Sequence, residues 1–524
     1  MAHVSHISVF SHDRPPVDNT QGHSTEKFHA KTSEMTQMRN TAEQYIAWYT
    51  GASNMREKTV ILEVNEGKIR GVRKQSAFSE VEYYSFLGIP YGQSTAGHAR
   101  FKNPVKVKPW KGILDCTKEK HGCLQYSMRI KEITGSEDCL YNNIYIPKIP
   151  AKNDPPKAVI VCYHPGGLAH GSPDPWYYGS PEYIMHHDVV YVCVAFRLHV
   201  LGFLNLGLKE CSGNQGLKDI ILSLQWIKEN ISVFGGDPDN ITLMGSGTGA
   251  GLVQELMIIP KTKNLFHKAL LMGMYKTCPL HMAAEENASL ALDIATRLGY
   301  AKKDEDDKKK LLSFYKKLDL EEVFAYRPDI FIQLNKATLF VTTPFVTTID
   351  SGDDAVLPLS TREQQIESTA RIPIMIGFCE REASMALTKI YQKNTKENFF
   401  KLIRSNYLGW GYDLNDGEIK LIRDQVEKFY CEGKTVENAS LSTKCDILTD
   451  AALSDVYDTL INVISADLPS SVFVYKFNFV GNAFTINEYI SSQFDEPLKG
   501  ACHESDFNHC GPTQNTDGAI RPIL

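Results

Sequence analysis

Hydrophobic positions near the start of the ordered chain alternate with polar ones, and further along they gather into short unbroken runs. Val60-Ile-Leu-Glu-Val64 and Lys68-Ile-Arg-Gly-Val72 alternate with period two, which predicts an opening β-hairpin. Tyr141 to Ile146, Ala158 to Tyr163 and Val189 to Phe196 are near-continuous apolar strands with helical patterns between and after them. Strands apolar on both faces and separated by helices argue a mostly parallel sheet covered on both sides. Val472-Phe-Val-Tyr-Lys-Phe-Asn-Phe479 reads as a late strand of the same sheet. Residues 280–330 and 395–465 carry helical periodicity, and the charge run from Lys302 to Leu311 reads as a solvated helix start and turn. Residues 1 to 40 are polar, rich in His, Ser and Thr, and show no sustained period, so they are expected to be disordered. The pattern over Thr41 to Tyr49 is compatible with a short amphipathic helix. Without repeats or low-complexity linkers, the chain divides into an extension over 1–56 and one α/β domain over 57–524.

The most informative stretch is Asn240-Ile-Thr-Leu-Met-Gly-Ser-Gly-Thr-Gly-Ala-Gly-Leu-Val253, a short apolar strand entering a glycine-rich turn and then a helix. Strand, tight turn and helix with Gly at both ends of a five-residue step is the shape of the nucleophile elbow, Gly-x-Ser-x-Gly. Gly245 and Gly249 are the flanking glycines, and Gly247 stands where the attacking Ser belongs. Sliding the frame onto Ser246 would require glycine at Met244 and Thr248, so the slid frame fails at both ends. Glycine enters a strained turn at little steric cost, and so keeps the turn while deleting the chemistry.

Upstream lie Gly213-Asn-Gln-Gly-Leu-Lys-Asp219, Leu224-Gln-Trp226, Phe234-Gly-Gly-Asp-Pro238 and Ser136-Glu-Asp-Cys-Leu-Tyr-Asn-Asn-Ile-Tyr145. Together they resemble the carboxylesterase/cholinesterase family of α/β-hydrolases, from near Val60 to about Phe507, and among its members the intracellular insect α-esterases more than the secreted cholinesterases. The resemblance implies a mostly parallel sheet with helices on both faces and helical insertions over its C-terminal edge. It assigns Glu382, after Ile374-Met-Ile-Gly-Phe-Cys-Glu-Arg381, as the triad acid, with Glu380 a competitor two residues away. It assigns His503, in Lys499-Gly-Ala-Cys-His-Glu-Ser-Asp506, as the former general base, with His509 a competitor. Gly166, Gly167 and Thr248 are implied as the oxyanion-hole donors. In secreted members a disulfide closes the loop corresponding to Cys123 and Cys139, and whether it forms in this chain stays open. Relatives also continue about fifty residues past their catalytic His into a helix that packs on the sheet. Either the domain is truncated at its C-terminus or the fold lacks this helix, whose loss is expected to leave apolar sheet surface uncovered.

Several positions around the implied site depart from the family pattern. Besides Gly247, Pro165 stands for a glycine, Leu168 for an aromatic, Ser246 for an acid, Thr248 for a small Ala that it would crowd, and Gly273 for a Ser. Loss of a triad Ser costs on the order of a million-fold in turnover, leaving about 10³ to 10⁴ over water from the hole and binding. The first expectation is thus a catalytically inactive member that keeps its gorge and binds apolar esters or a protein partner. The alternatives are a weak ester hydrolase using His503-activated water, Ser246 or Thr248, and a cholinesterase-like adhesion protein.

Composition narrows the picture without redirecting it. The 524 residues are 43% hydrophobic and 23% charged with a net charge of -6, which suits a large-cored globular protein and gives no case for nucleic-acid binding. The N-terminus lacks a basic segment followed by an apolar one, and no apolar run approaches the ~18 residues of a membrane span, so a cytoplasmic location is expected. Twelve cysteines are scattered without metal-binding spacing. Those in apolar runs, such as Cys162 and Cys193, are expected to be buried free thiols. No cofactor or metal is implied. The Asn-x-Ser/Thr triplets at Asn230, Asn240, Asn287 and Asn438 read as chance.

Overall fold

The alternating segments pair as expected, β1 (Thr59–Val64) antiparallel to β2 (Gly67–Gln75) with Val64 opposite Gly67 and Thr59 opposite Val72. The computed structural model describes most of residues 58–521. It leaves out 1–57, 128–131, 174–180, 274–282, 302–306, 326–344, 388–414, 456–460, 480–497, 503–504 and 506–512 with several shorter stretches. Thr41 to Tyr49 lies outside the described residues.

The hairpin opens an eleven-stranded sheet. Its other members are β3 (Glu82–Pro90), β4 (Ile113–Asp115), β5 (Tyr141–Ile146), β6 (Lys157–Tyr163), β7 (Val190–Val194), β8 (Gly236–Ser246), β9 (Lys268–Met272), β10 (Ile374–Cys379) and β11 (Val472–Phe477). The order is β1-β2-β3-β5-β7-β6-β8-β9-β10-β11, with β4 paired to β2. From β7 onward every pairing is parallel. Tyr141 to Ile146, grouped by its apolar run with the parallel strands, instead lies antiparallel to both β3 and β7. The reason is the link to β6: residues 147–156 hold no helix, whereas a parallel crossover needs a dozen or more residues.

The parallel centre is buried on both faces, and all five residues of β7 are buried. Helix α1 (Gln215–Asn230) covers one face with Leu217, Ile220, Leu224 and Ile227, and its Trp226 Nε1 donates to Glu66 Oε2 at 2.9 Å. Cys193, Cys162, Met244, Leu270, Met375 and Phe473 lie in register across six strands. Burial fades along this row, from Cys162 and Cys193, which are buried free thiols, to Met375 and Phe473 at 39% and 43% exposure. Helix α2 (Thr248–Ile258) follows β8, then α3 (Ala284–Arg297) and α4 (Lys308–Lys317). The part of the charge run that is described behaves as expected. Asp307 caps α4 by accepting from the Lys310 N–H at 3.0 Å, Lys308 to Lys310 are exposed, and Leu311 faces the core. Farther on, α5 (Asp416–Tyr430) and α6 (Leu441–Asp455) pack beside the β10 edge. Asn230 and Asn287 are buried and hydrogen-bonded, in keeping with the reading of their triplets as chance. No described helix is long and apolar enough to cross a membrane.

Candidate active site at the reversal of strand order

Strand β6 lies between β7 and β8, so the connection from β6 to β7 and the next, from β7 to β8, run in opposite directions across the sheet. In open α/β sheets the crevice beyond the strand C-termini at such a reversal is where ligands bind. Tyr163, the last residue of β6, pairs with Gly245 near the end of β8, so the loops that follow leave the sheet side by side.

The turn after β8 is fixed by backbone approach. A Cβ on Gly245 would lie 2.3 Å from the Gly249 backbone, and one on Gly249 would lie 2.3 Å from the Tyr163 carbonyl. Between them Gly247 caps α2 with φ 54° and ψ -121°, a conformation that residues bearing a side chain rarely adopt. Its N–H donates to the Met272 carbonyl at 2.9 Å, and its carbonyl accepts from the Gly251 N–H at 3.2 Å. Ser246 is the final residue of β8, fully buried opposite Met272, and its Oγ has no hydrogen-bond partner among the described residues.

The loop after β6 carries His164, Pro165, Gly166, Gly167 and Leu168. Gly166 has φ 119°, and a Cβ there would strike the His170 carbonyl at 2.0 Å; Gly167 has φ 66° and open space on its Cα. The Gly167 N–H donates to the Thr248 Oγ1 at 2.9 Å. Thus two of the three residues implied as oxyanion donors bond to each other, and both are half-buried. His164 stacks on Phe196 at 4.6 Å between ring centroids, and its Nδ1–H donates to the Pro165 carbonyl at 2.8 Å. Burial pushes this imidazole down to about 4, so it is neutral at pH 7. Cys123 and Cys139 are joined by a disulfide. Two residues on, Gln125 exchanges hydrogen bonds with the Gly171 backbone at 2.6 and 2.7 Å, tying the disulfide-bearing segment to the glycine loop.

Glu382 follows β10, two strands from the elbow along the same edge. It is fully buried, and its Oε2 accepts from the Cys379 N–H, which folds the carboxylate back over its own turn. His503 and His509 lie outside the described residues. The backbone just before His503 is placed: Arg381 and Cys502 form a parallel β-bridge, and the Arg381 N–H donates to the Ala501 carbonyl at 2.7 Å. The chain leading to 503 is therefore fastened to the segment that carries Glu382. Glu380 lies on the same turn, where its Oε2 would meet a Cβ on Gly500 at 2.9 Å. Among the described residues no group of three His, Cys, Asp or Glu is placed to hold a metal ion.

Sequence reasoning missed two features near this edge. His199 has φ 53° and donates its N–H to Leu168, itself at φ 59°, over 2.7 Å; its ring lies 5.1 Å from Phe324 and 5.4 Å from Phe345. Burial pushes His199 down to about 3. Glu255 sits on α2 with Oε1 accepting from the Thr347 hydroxyl at 2.5 Å and Oε2 without a partner among the described residues. The signal for Glu255 was present: a lone acid in the apolar run Leu252-Val-Gln-Glu-Leu-Met-Ile258. His199 gives no such signal, because a positive φ at a non-glycine residue leaves no mark in composition or period.

Comparison with known proteins agrees with this geometry. The family model described as Carboxylesterase family matches residues 58–513. Esterase FE4 of Myzus persicae is 30% identical over 440 residues, covering 80% of this chain and 74% of that protein. Juvenile hormone esterase of Heliothis virescens is 31% identical over 344 residues, covering 62% and 58%. The crystal structure of juvenile hormone esterase from Manduca sexta, with OTFP covalently attached, superposes with a TM-score of 0.69 at 25% identity, covering 86% of this chain and 83% of that one. With its sheet order and the match over most of its length, the chain belongs to the carboxylesterase family and has the α/β-hydrolase fold.

Proposed function

We propose that this member of the family does not hydrolyse esters and instead binds apolar esters, or a protein partner, in the crevice above β6 and β8. One observation carries the reading: the residue at the elbow, held at φ 54° and ψ -121° between two glycines whose Cα atoms touch backbone, is Gly247. It offers no oxygen to attack a carbonyl. Ser246 does not replace it, since it is the last residue of β8, fully buried opposite Met272 and one position before the turn that presents residue 247. Thr248 directs its hydroxyl at the Gly167 N–H. Relatives named as esterases support an ester as the small-molecule ligand. On this reading Glu382, and His503 by family resemblance, are a relict acid and base.

The test is incubation of the purified chain with a fluorescent organophosphonate and a p-nitrophenyl ester, beside Gly247→Ser. The native chain is expected to take up no label and to hydrolyse at least about 10⁵-fold more slowly than an active relative. Stoichiometric labelling of the native chain would defeat the proposal.

A further inference from the structure

The Gly167 N–H is one of the donors that would meet the charge developing on an ester oxygen, and in this chain it meets Thr248 instead. We propose that Thr248 plugs the oxyanion hole: its hydroxyl stands where a substrate's carbonyl oxygen would sit, so the site is closed to carbonyl chemistry by a second change independent of Gly247. The inference rests on the reading of this crevice as the family's active site.

Three observations lead to it. Thr248 is the first residue of α2, one past the capping Gly247, and its hydroxyl reaches a residue 81 positions away in sequence, accepting from the Gly167 N–H at 2.9 Å. Both partners are half-buried, and a Cβ on Gly167 would meet nothing within 4 Å, so the bond lies beside open space that a ligand could enter. The loop bearing this donor is fixed: a Cβ on Gly166 would strike the His170 carbonyl at 2.0 Å, and the Gly166 carbonyl accepts from the Ala169 and His170 N–H groups at 3.1 Å. A carbonyl entering this site must therefore displace a protein hydroxyl that already satisfies the donor. With the Gly167 donor already satisfied, the hole gains less from the growth of negative charge on the ligand, which is the difference on which transition-state stabilisation depends.

Two measurements test the plug. In the first, hydrogen exchange at the Gly167 amide is followed in the native chain, Thr248→Ser and Thr248→Val, with thermal unfolding as a check on folding. Exchange is expected to be slow in the native chain and in Thr248→Ser, which keeps the hydroxyl, and at least about tenfold faster in Thr248→Val. Equal rates in all three would overturn the proposal. In the second, ester hydrolysis is compared for Gly247→Ser alone and combined with Thr248→Ala or Thr248→Val. Loss of one oxyanion donor costs about 10²- to 10³-fold in kcat, so the Ala double variant should exceed Gly247→Ser by about 10²-fold, in kcat far more than in KM. The Val double variant, which keeps the bulk, should stay slow. An Ala double variant no faster than Gly247→Ser would also overturn the proposal, and if no revertant turns over, the exchange rates decide. Hydrolysis by the native chain would defeat the functional reading while leaving the exchange result standing.

Discussion

Glu255 gives the sharpest physical prediction. Its carboxyl is 2% exposed on α2, holds one hydrogen bond from Thr347, and is raised by burial from 4.5 to about 8. The folded chain thus binds this proton more tightly than the unfolded chain, so stability must fall as pH rises between those values. Below about pH 4.5 the group is neutral in both states and costs nothing; above about pH 8 the full cost of a buried charge is present, on the order of 5 kcal/mol at most. Glu255→Gln keeps the shape and the hydrogen bond but removes the charge. Urea unfolding of both chains at pH 5, 7 and 9 should give nearly equal stabilities at pH 5 and a gap in favour of the Gln variant that widens to several kcal/mol at pH 9. His164 and His199, lowered to about 4 and 3, act in the opposite direction and destabilise the fold as pH drops below about 6.5, yet they are present in both chains and cancel in the difference. A difference that stays constant from pH 5 to 9 would refute the reasoning, because it would mean that Glu255 is ionised, or solvated, in the fold throughout.

Two further outcomes follow from buried pairs. The Arg197 guanidinium donates to both Asp219 oxygens at 2.7 and 2.8 Å and to the Lys102 carbonyl at 2.7 Å, with both residues buried; Asp219→Asn should cost about 3 to 5 kcal/mol, read as a fall in the urea midpoint, and Arg197→Lys should not rescue the forked contact. The Cys123–Cys139 bridge closes a loop with a sequence separation of 16. Replacing both by Ser should lower stability by about 3 kcal/mol and make it insensitive to added reductant.

Much of this architecture is legible in the sequence because the parallel strands are apolar on both faces and their turns are marked by glycine. The elbow was readable for the same reason: Gly245 and Gly249 are required by backbone contact, and contacts of that kind leave a fixed spacing. The direction of Tyr141 to Ile146 is not legible in its apolar run, which reports burial and not strand direction; the shortness of 147–156 is the clue to it. What the sequence could not supply was the partner of each polar group. That Thr248 faces Gly167, Glu255 faces Thr347, and Gln125 clasps Gly171 are meetings across 81, 92 and 46 positions, set by how the loops leave the sheet. His503 was assigned by family resemblance alone, and only its neighbour Cys502 is positioned here.

The turn at Gly247 also sets what a side chain at that position would cost. At φ 54° and ψ -121° a residue with a side chain carries about 1 to 3 kcal/mol of backbone strain that glycine avoids. A serine placed at 247 would therefore cost stability whatever chemistry it added. A serine at 247 would have to be held in that conformation by the packing around Gly245 and Gly249, so the Gly247→Ser chain should unfold at a lower urea concentration than the native one.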